Sequence, residues 1–196
     1  MRSRAHIKTH PLHPILVGFP IAFFTGTLAF DLLAMLRDRE DFYDTAVHLL
    51  IAGLAMALIA AVPGFVDYLH TVPPESSAKK RASTHATVNL CMVALFGIAL
   101  LYRSGDEPAP SIYIGLEAVG FVLMLIAGWM GGTLVHRNQI GVDPRYAFAG
   151  KWKEVFLSEE GGKVRLGNLE EMKRDQMILV HAGDKRIVVG RTEQGF

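Results

Sequence analysis

The residues best suited to chemistry in this sequence are its histidines, because a neutral imidazole is the commonest metal ligand in proteins. Eight histidines occur among 196 residues. Most of them stand where a long apolar block begins or ends: His10, His13, His70, His85 and His136. Two imidazoles on opposite sides of a helical bundle can take the axial positions of a b-type haem iron. The same convergence would suit zinc, copper, iron or nickel ions.

Four apolar blocks must position these histidines. A helix of about 20 residues crosses the hydrocarbon core of a membrane, and four blocks reach or approach that length: residues 14–36, 46–69, 85–102 and 112–135. The runs LLIAGLAMALIAAV and GFVLMLIAGWMGGTLV carry no polar stripe, whereas each helix of a soluble bundle would show one. Short connections make neighbouring helices antiparallel. The predicted fold is therefore an all-α membrane domain within residues 1–136: an up-down bundle of four transmembrane helices in contact with the lipid bilayer.

The charges that flank the spans predict the orientation. Side A is the face that holds the N-terminus, the connection between spans two and three, and the end of span four; side B is the opposite face. Side A carries eight basic residues, which are Arg2, Arg4, Lys8, Lys79, Lys80, Arg81, Arg137 and Arg145. Side B carries Arg37, Arg39 and Arg103 among several acidic residues. Because positive flanks stay in the cytoplasm, we expect both termini of this integral membrane protein to be cytoplasmic.

All four spans bring a histidine to side A. In an up-down bundle the first and third spans are diagonal, so His13 and His85 are predicted to face each other across the core. The second and fourth spans are also diagonal, which would place His70 opposite His136. His10 and His13 lie in the segment HPLHP, where the prolines fix the approach of the chain to the first helix. Rigid presentation of this kind lowers the entropy cost of binding a ligand.

Polar residues beside these histidines are candidates for orienting the imidazoles. Asp67 stands one turn before His70, and a carboxylate can accept the second N–H of an imidazole. Asn89 stands one turn after His85. Three further ionisable residues lie sparsely near the helix ends on side B, namely Asp31, His48 and Glu117. An ionisable residue inside a membrane is a functional candidate by default.

Composition excludes several other functions. The net charge is +1, so nothing in it indicates binding of nucleic acid. The single cysteine, Cys91, lies within an apolar block and cannot form an internal disulfide or build a cysteine-ligated cluster within one chain. No cleavable signal is visible around the first apolar run, which is therefore predicted to be a retained helix.

The sequence after the fourth span is mixed and has the character of soluble protein. Residues 137–167 are predicted to form a juxtamembrane connector. Within residues 168–196, the runs MILVHA and KRIVVGR flank Gly183 and Asp184, a hairpin turn signal. A lone hairpin is marginal in water. We therefore expect a short tail with a β-hairpin that begins, without completing, a β domain.

Four segments carry a resemblance to a known family: RSRAHIKTHPLHPILVGFP, PGFVDYL, THATVN and GWMGGTLVHRNQIGVD. Together they resemble a family of predicted four-helix membrane proteins of unassigned function that share an HPxHP motif, and the resemblance covers residues 1 to about 150. It favours His13 with His85 as the ligand pair over a ring of four histidines, since neither His70 nor His136, although His136 lies within the last of these segments, is a recognised position of the pattern.

The resemblance also has an implication for the tail. In that family the membrane domain is often followed by a Rieske iron–sulfur domain, and residues 168–196 are similar to its opening strands. A Rieske domain binds its [2Fe–2S] cluster through a Cys-x-His pair and a Cys-x-x-His pair. Neither pair occurs in this sequence, so no such cluster is expected in the chain as it stands.

Three functional hypotheses follow. The first is a membrane electron-transfer subunit, a redox carrier rather than a stand-alone enzyme, with a redox partner subunit or a quinone as its partner. One b-type haem would lie near the cytoplasmic face, held by His13 and His85, with His10 or His70 as substitutes. The second is a cofactor-free anchor that tethers a redox domain or assembles partner subunits. The third is a metal-binding membrane protein, and the oligomeric state is left open.

Overall fold

The computed structural model describes residues 1–105, 107–142, 153–157, 172–174 and 176–195. The chain divides into two compact units, Met1–Asp143 and Pro144–Phe196. The first unit holds the helices, and the second holds a small sheet.

The first unit is a bundle of long apolar helices. Its helices are α1 (Leu12–Leu16), α2 (Gly18–Arg37), α3 (Glu40–His70), α4 (Ser77–Arg103) and α5 (Pro110–His136). They provide four candidate membrane spans, the first made of α1 and α2 together. Between 17% and 22% of each apolar window is buried inside the bundle, so most apolar side chains face outward, where lipid would cover them. The prediction of an all-α fold with four spans is confirmed.

The helices pack in the predicted up-down order. Helix α2 packs against α3 and α5, and α4 packs against the same two helices, so α2 and α4 are diagonal. The rings of Phe24 and Phe96 meet across this diagonal and stack with their centroids 4.0 Å apart. Each ring lies against a glycine, because a Cβ at Gly53 would stand 2.7 Å from Phe24 and one at Gly120 would stand 2.9 Å from Phe96. The two stacked rings form the centre of the core.

Helix α4 begins earlier than the sequence predicted. The third span was placed at residues 85–102, but the helix starts at Ser77. Ser76 caps it, since its side-chain oxygen accepts a hydrogen bond from the Lys79 amide at 3.0 Å. His85 consequently lies two turns inside the helix rather than at its start.

The bundle is built from two similar helical hairpins, α1–α3 and α4–α5. Four buried positions of α2 recur 72 residues later in α4, which pairs Pro20 with Met92, Phe24 with Phe96, Thr27 with Ala99 and Asp31 with Arg103. Five buried positions of α3 recur 67 residues later in α5, which pairs Ala46 with Tyr113, Leu50 with Glu117, Gly53 with Gly120, Ala60 with Ala127 and Asp67 with Leu134. Both hairpins start on side A, so a pseudo-twofold axis along the membrane normal relates them.

The described residues of the second unit form three strands, β3 (Lys153–Leu157), β4 (Met177–Ala182) and β5 (Lys185–Gly190). In the first unit, β1 (His6–Ile7) and β2 (His10–Pro11) form a small hairpin before α1. Strands β4 and β5 are antiparallel around Gly183 and Asp184, which confirms the predicted hairpin. Strand β3 pairs with β4 in parallel. Of these two strands, β3 lies inside residues 137–167, the segment predicted as a connector. A parallel partner needs a long crossover and leaves no local turn signal in the sequence.

Part of the predicted connector lies outside the described residues. This part includes its aromatic residues Tyr146, Phe148 and Trp152. Half of the run LEEMKRDQ, which precedes the hairpin, also lies outside the described residues.

Candidate functional site

The structure divides six of the seven histidines of the membrane unit into two groups; the seventh, His6 in the N-terminal arm, is also half-buried. His10, His70 and His136 on side A and His48 towards side B are exposed, whereas His13 and His85 are half-buried. Three of the exposed rings, those of His10, His48 and His70, bond locally. Nδ1 of His10 lies 2.9 Å from the Lys8 carbonyl oxygen, and Nδ1 of His70 lies 3.0 Å from that of Val66. Across the described residues, no three His, Cys, Asp or Glu side chains are grouped as metal ligands would be. The structure therefore sets the half-buried pair apart from the predicted substitutes His10 and His70.

His13 is held against the backbone of α3. Its Nδ1 donates to the Ala60 carbonyl oxygen at 2.8 Å. The carbonyl is only an acceptor, so Nδ1 carries the proton and Nε2 keeps its lone pair. Gly64 provides the space, because a Cβ at that position would stand 2.8 Å from Nδ1.

His85 is held in the same way against α5. Its Nδ1 donates to the Ala127 carbonyl oxygen at 3.1 Å. A Cβ at Gly131 would stand 3.3 Å from the ring. Asn89 lies beside the imidazole, with its amide nitrogen 3.3 Å from both ring nitrogens and 2.8 Å from the His85 carbonyl oxygen that it donates to. The amide is thus beside the ring without being aimed at one nitrogen.

The surroundings of the two imidazoles, here called the imidazole seats and each made of a histidine, a carbonyl acceptor and a glycine, are equivalent under the pseudo-twofold relation. His13 and His85 are 72 residues apart, and their carbonyl acceptors, like their glycines, are 67 residues apart. Because α2 and α4 run in the same direction and the two histidines hold equivalent positions, the two rings lie at the same level of the bundle. This level is one turn, about 6 Å, deeper than Arg81. Two neutral imidazoles with unprotonated Nε2 atoms are a donor set for the axial positions of a haem iron.

Asp67 has different partners from those expected. Its carboxylate accepts hydrogen bonds from the Ser3 hydroxyl at 2.6 Å, the Arg4 amide at 2.8 Å and the Thr71 hydroxyl at 2.7 Å. The expectation that it orients His70 is corrected accordingly: it anchors the N-terminal arm, residues 1–9, to the end of α3. Ser3 is 2% exposed, so this anchor is buried. Sequence spacing along α3 could not show that a distant segment folds back onto it.

Removal of the Asp67 carboxylate should release the N-terminal arm. Asp67→Ala removes the shorter of two hydrogen bonds from the Ser3 hydroxyl and from the Arg4 amide, whose other acceptors are the Ala5 carbonyl and the Thr71 hydroxyl, both at 3.1 Å. The loss should cost about 1–3 kcal/mol. We expect faster trypsin cleavage after Arg4 and a lower melting temperature in detergent. Asp44→Ala, an exposed carboxylate on side B, is the control. Equal trypsin sensitivity of Asp67→Ala and the wild type would show that the arm is held by other contacts.

Sequence reasoning missed a second buried cluster, near side B. Arg103 was counted with the side B flanking charges, but its side chain is 1% exposed. It bonds Asp31 from α2, with Nη2 2.7 Å from Oδ2, and it also contacts Glu117 from α5. His48 lies outside this group, since its Nδ1 bonds the Asp44 carbonyl oxygen of its own helix. The sequence did contain a signal for this cluster. Arg103 holds the position in α4 that Asp31 holds in α2, so residues of opposite charge stand at equivalent positions.

Comparison with known proteins agrees with this architecture. A family model described as "Predicted membrane protein (DUF2231)" matches residues 9–144, which include HPLHP and all four spans. No curated protein and no solved structure matches the chain. The family match covers well over half of the sequence, and the chain therefore belongs to the DUF2231 family of predicted membrane proteins.

Proposed function

We propose that the bundle is an electron-transfer subunit that binds one b-type haem between His13 and His85. The observation that carries the proposal is the equivalence of the two imidazole seats. Each ring donates Nδ1–H to a backbone carbonyl across the helix interface, and each therefore has Nε2 unprotonated. At His85 the Asn89 amide nitrogen lies 3.3 Å from Nε2 and would have to turn aside for a ligand. A haem held there would supply one-electron chemistry through its iron.

The hydrogen bonds on Nδ1 are of the kind that metal-binding histidines make. A partner on the second nitrogen fixes the ring orientation and raises the basicity of the ligating nitrogen. Tetrahedral zinc takes three or four protein ligands. Two histidines match the axial requirement of a haem instead, and the described residues offer no group of three ligands. The two-histidine set therefore favours haem over a zinc site.

The N-terminal arm covers part of side A near the histidines. Its Ala5 carbonyl accepts from the Leu12 amide at 2.9 Å, next to His13. The Met1 carbonyl accepts from the Gly141 amide at 2.8 Å, beyond the end of α5. Together with the Asp67 anchor, these bonds keep the arm over the end of the bundle, where it would limit access of water to a bound haem.

In this proposal side A is cytoplasmic, and the electron partner is a redox subunit or a quinone. The basic residues Lys79, Lys80 and Arg81 at the start of α4 support that orientation. The three strands of the second unit are proposed to open a Rieske-like domain, whose ligand pairs the sequence does not contain.

The haem proposal is tested by spectroscopy on the purified full chain, expressed with a supply of haem precursor. We expect a Soret band, a reduced-minus-oxidised difference spectrum typical of a b-type cytochrome, and about one haem per chain by pyridine haemochrome assay. His13→Ala and His85→Ala should each lose the haem. The matched variants His10→Ala and His70→Ala should keep it.

Three outcomes would overturn the haem proposal. If the wild-type protein is folded, as judged by circular dichroism and gel filtration, but shows no Soret band, the cofactor-free anchor would be favoured. Stoichiometric zinc or copper without haem would indicate a metal-binding protein. Equal loss of haem in His70→Ala and His13→Ala would place the ligands elsewhere.

The orientation is tested separately by cysteine labelling. In a Cys91→Ala background, Ser77→Cys reports side A and Ser111→Cys reports side B; both serines are exposed. With a membrane-impermeant maleimide on intact cells, we expect Ser111→Cys to react at once and Ser77→Cys only after permeabilisation. The reverse pattern would place side A outside the cell.

A further inference from the structure

The buried cluster of Asp31, Arg103 and Glu117 has no part in the proposed haem site. Asp31 is 18 residues from His13 along the same span, which corresponds to about 27 Å of helix. The two carboxylates lie about 10 Å inside the side B ends of their helices, since Asp31 is six residues before the end of α2 and Glu117 is seven after the start of α5. Arg103 is the last residue of α4, and its side chain reaches inward to them. All three side chains are at most 1% exposed.

The charges in this cluster do not balance when all three groups are ionised. One guanidinium faces two carboxylates, which leaves one net negative charge in an apolar environment. An uncompensated buried charge is strongly unfavourable. One proton on either carboxylate makes the cluster neutral.

All four spans contribute side chains that must be considered when the charges of the cluster are counted. Helix α2 gives Asp31, α4 gives Arg103, and α5 gives Glu117 and Tyr113. Helix α3 gives Tyr43, whose ring lies 5.3 Å from Cζ of the guanidinium. The described side chains around the cluster thus provide one cation and two carboxylates, and both tyrosines are neutral at physiological pH.

Two atoms of the cluster have no hydrogen-bond partner among the described residues, namely Nε of Arg103 and Oε2 of Glu117. An unpaired buried oxygen is unfavourable as a bare carboxylate oxygen, whereas a carboxylic acid can carry its proton there. Both carboxylates bond the same guanidinium nitrogen, Nη2, so Asp31 and Glu117 lie close together. A proton on one is therefore within reach of the other.

Aromatic rings enclose the cluster from both directions along the bundle. Towards side B, the rings of Tyr43 and Tyr113 lie edge to face with centroids 6.2 Å apart. Each tyrosine is three residues from the side B start of its helix. Towards side A, the stack of Phe24 and Phe96 fills the core. The shorter route from the cluster to water leads past the tyrosine pair to side B.

We propose that Asp31, Glu117 and Arg103 form a site that binds one exchangeable proton, taken up from and released to water on side B. The step is a proton transfer from water to a carboxylate oxygen and back, with no change of oxidation state. It changes the cluster between net negative and neutral, and it is independent of the haem proposal.

Infrared spectroscopy of the full chain in lipid vesicles tests this directly. At neutral pH we expect the C=O stretching band of a protonated carboxylic acid, which shifts in D₂O and disappears as the pH is raised. Glu117→Gln and Asp31→Asn should each abolish it, since either change removes the carboxylate that needs a proton. Asp41→Asn, an exposed carboxylate near side B, should leave the band unchanged.

The pH dependence of the melting temperature provides a second measurement that does not depend on the infrared spectra. The melting temperature of the wild type should fall as the pH rises and the buried proton is lost. That of Glu117→Gln should stay flat over the same range. Absence of a protonated carboxyl band in folded wild type, a band that persists in both variants, or parallel melting curves would each overturn the proposal.

Discussion

Arg103→Met is expected to destabilise the bundle by about 3–5 kcal/mol, because it leaves two buried carboxylates without their cation. Asp31 and Glu117 reach Arg103 from two different helices. The side chain thus connects α4 to both α2 and α5. Methionine has a similar length but provides no hydrogen-bond donor for either carboxylate.

Unfolding in detergent, followed by circular dichroism against increasing denaturant, measures this effect. Arg39→Met is the matched control, since Arg39 pairs with Asp41 at the surface with 59% of its side chain exposed and should matter little. Replacement of the whole cluster, by Arg103→Met with Asp31→Leu and Glu117→Leu, should recover much of the lost stability, because an apolar set carries no desolvation cost. Equal instability of the single and triple variants would contradict this account.

Gly64→Ala is expected to weaken haem binding by a factor between about 5 and about 150. The added methyl carbon would stand 2.8 Å from Nδ1 of His13, so the ring must move away from the Ala60 carbonyl. Overpacking of this kind costs about 1–3 kcal/mol, and about 1.4 kcal/mol corresponds to a factor of ten in affinity. The expectation rests on the proposed haem site.

The chain contains a graded set of controls for that experiment. At Gly131 the methyl carbon would lie 3.3 Å from the His85 ring, so Gly131→Ala should have a smaller effect. Gly128→Ala and Gly132→Ala place the methyl group in open space and should change nothing. Haem titration of the apoprotein gives the order of affinities. Haem loss in Gly128→Ala as large as in Gly64→Ala would show that the glycines act through helix packing rather than through the histidine seat.

The sequence was sufficient for the parts of the structure that depend on composition and local pattern. The four spans follow from the apolar runs alone, and the up-down order follows from the short connections. That order makes the helices of His13 and His85 diagonal. The hairpin at Gly183 followed from its turn residues.

The remainder depends on contacts between distant segments. Asp67 receives its hydrogen bonds from the N-terminal arm, and no spacing within α3 indicates this. Arg103 stands at the end of a span, where arginine normally extends to the interface; its burial requires carboxylates from two other helices. The earlier start of α4 was accessible in principle, because Ser76 is a typical helix-capping residue.

The internal repeat was hidden for a different reason. Few of the equivalent positions keep the same residue; Phe24 with Phe96 and Gly53 with Gly120 are among those that do. Others, such as Leu50 and Glu117, differ in polarity. The relation becomes visible when buried positions and their contacts are compared rather than residue types.

Covalent linkage of the two hairpins permits chemistry that a homodimer of one hairpin could not perform. In such a dimer the twofold axis would place identical residues opposite each other, aspartate facing aspartate or arginine facing arginine, and both arrangements are repulsive in a membrane. Within one polypeptide, each half is free to carry its own residue, so Asp31 can oppose Arg103 while His13 still opposes His85. The chain thus keeps twofold equivalence at the proposed haem site and abandons it where opposite charges must meet.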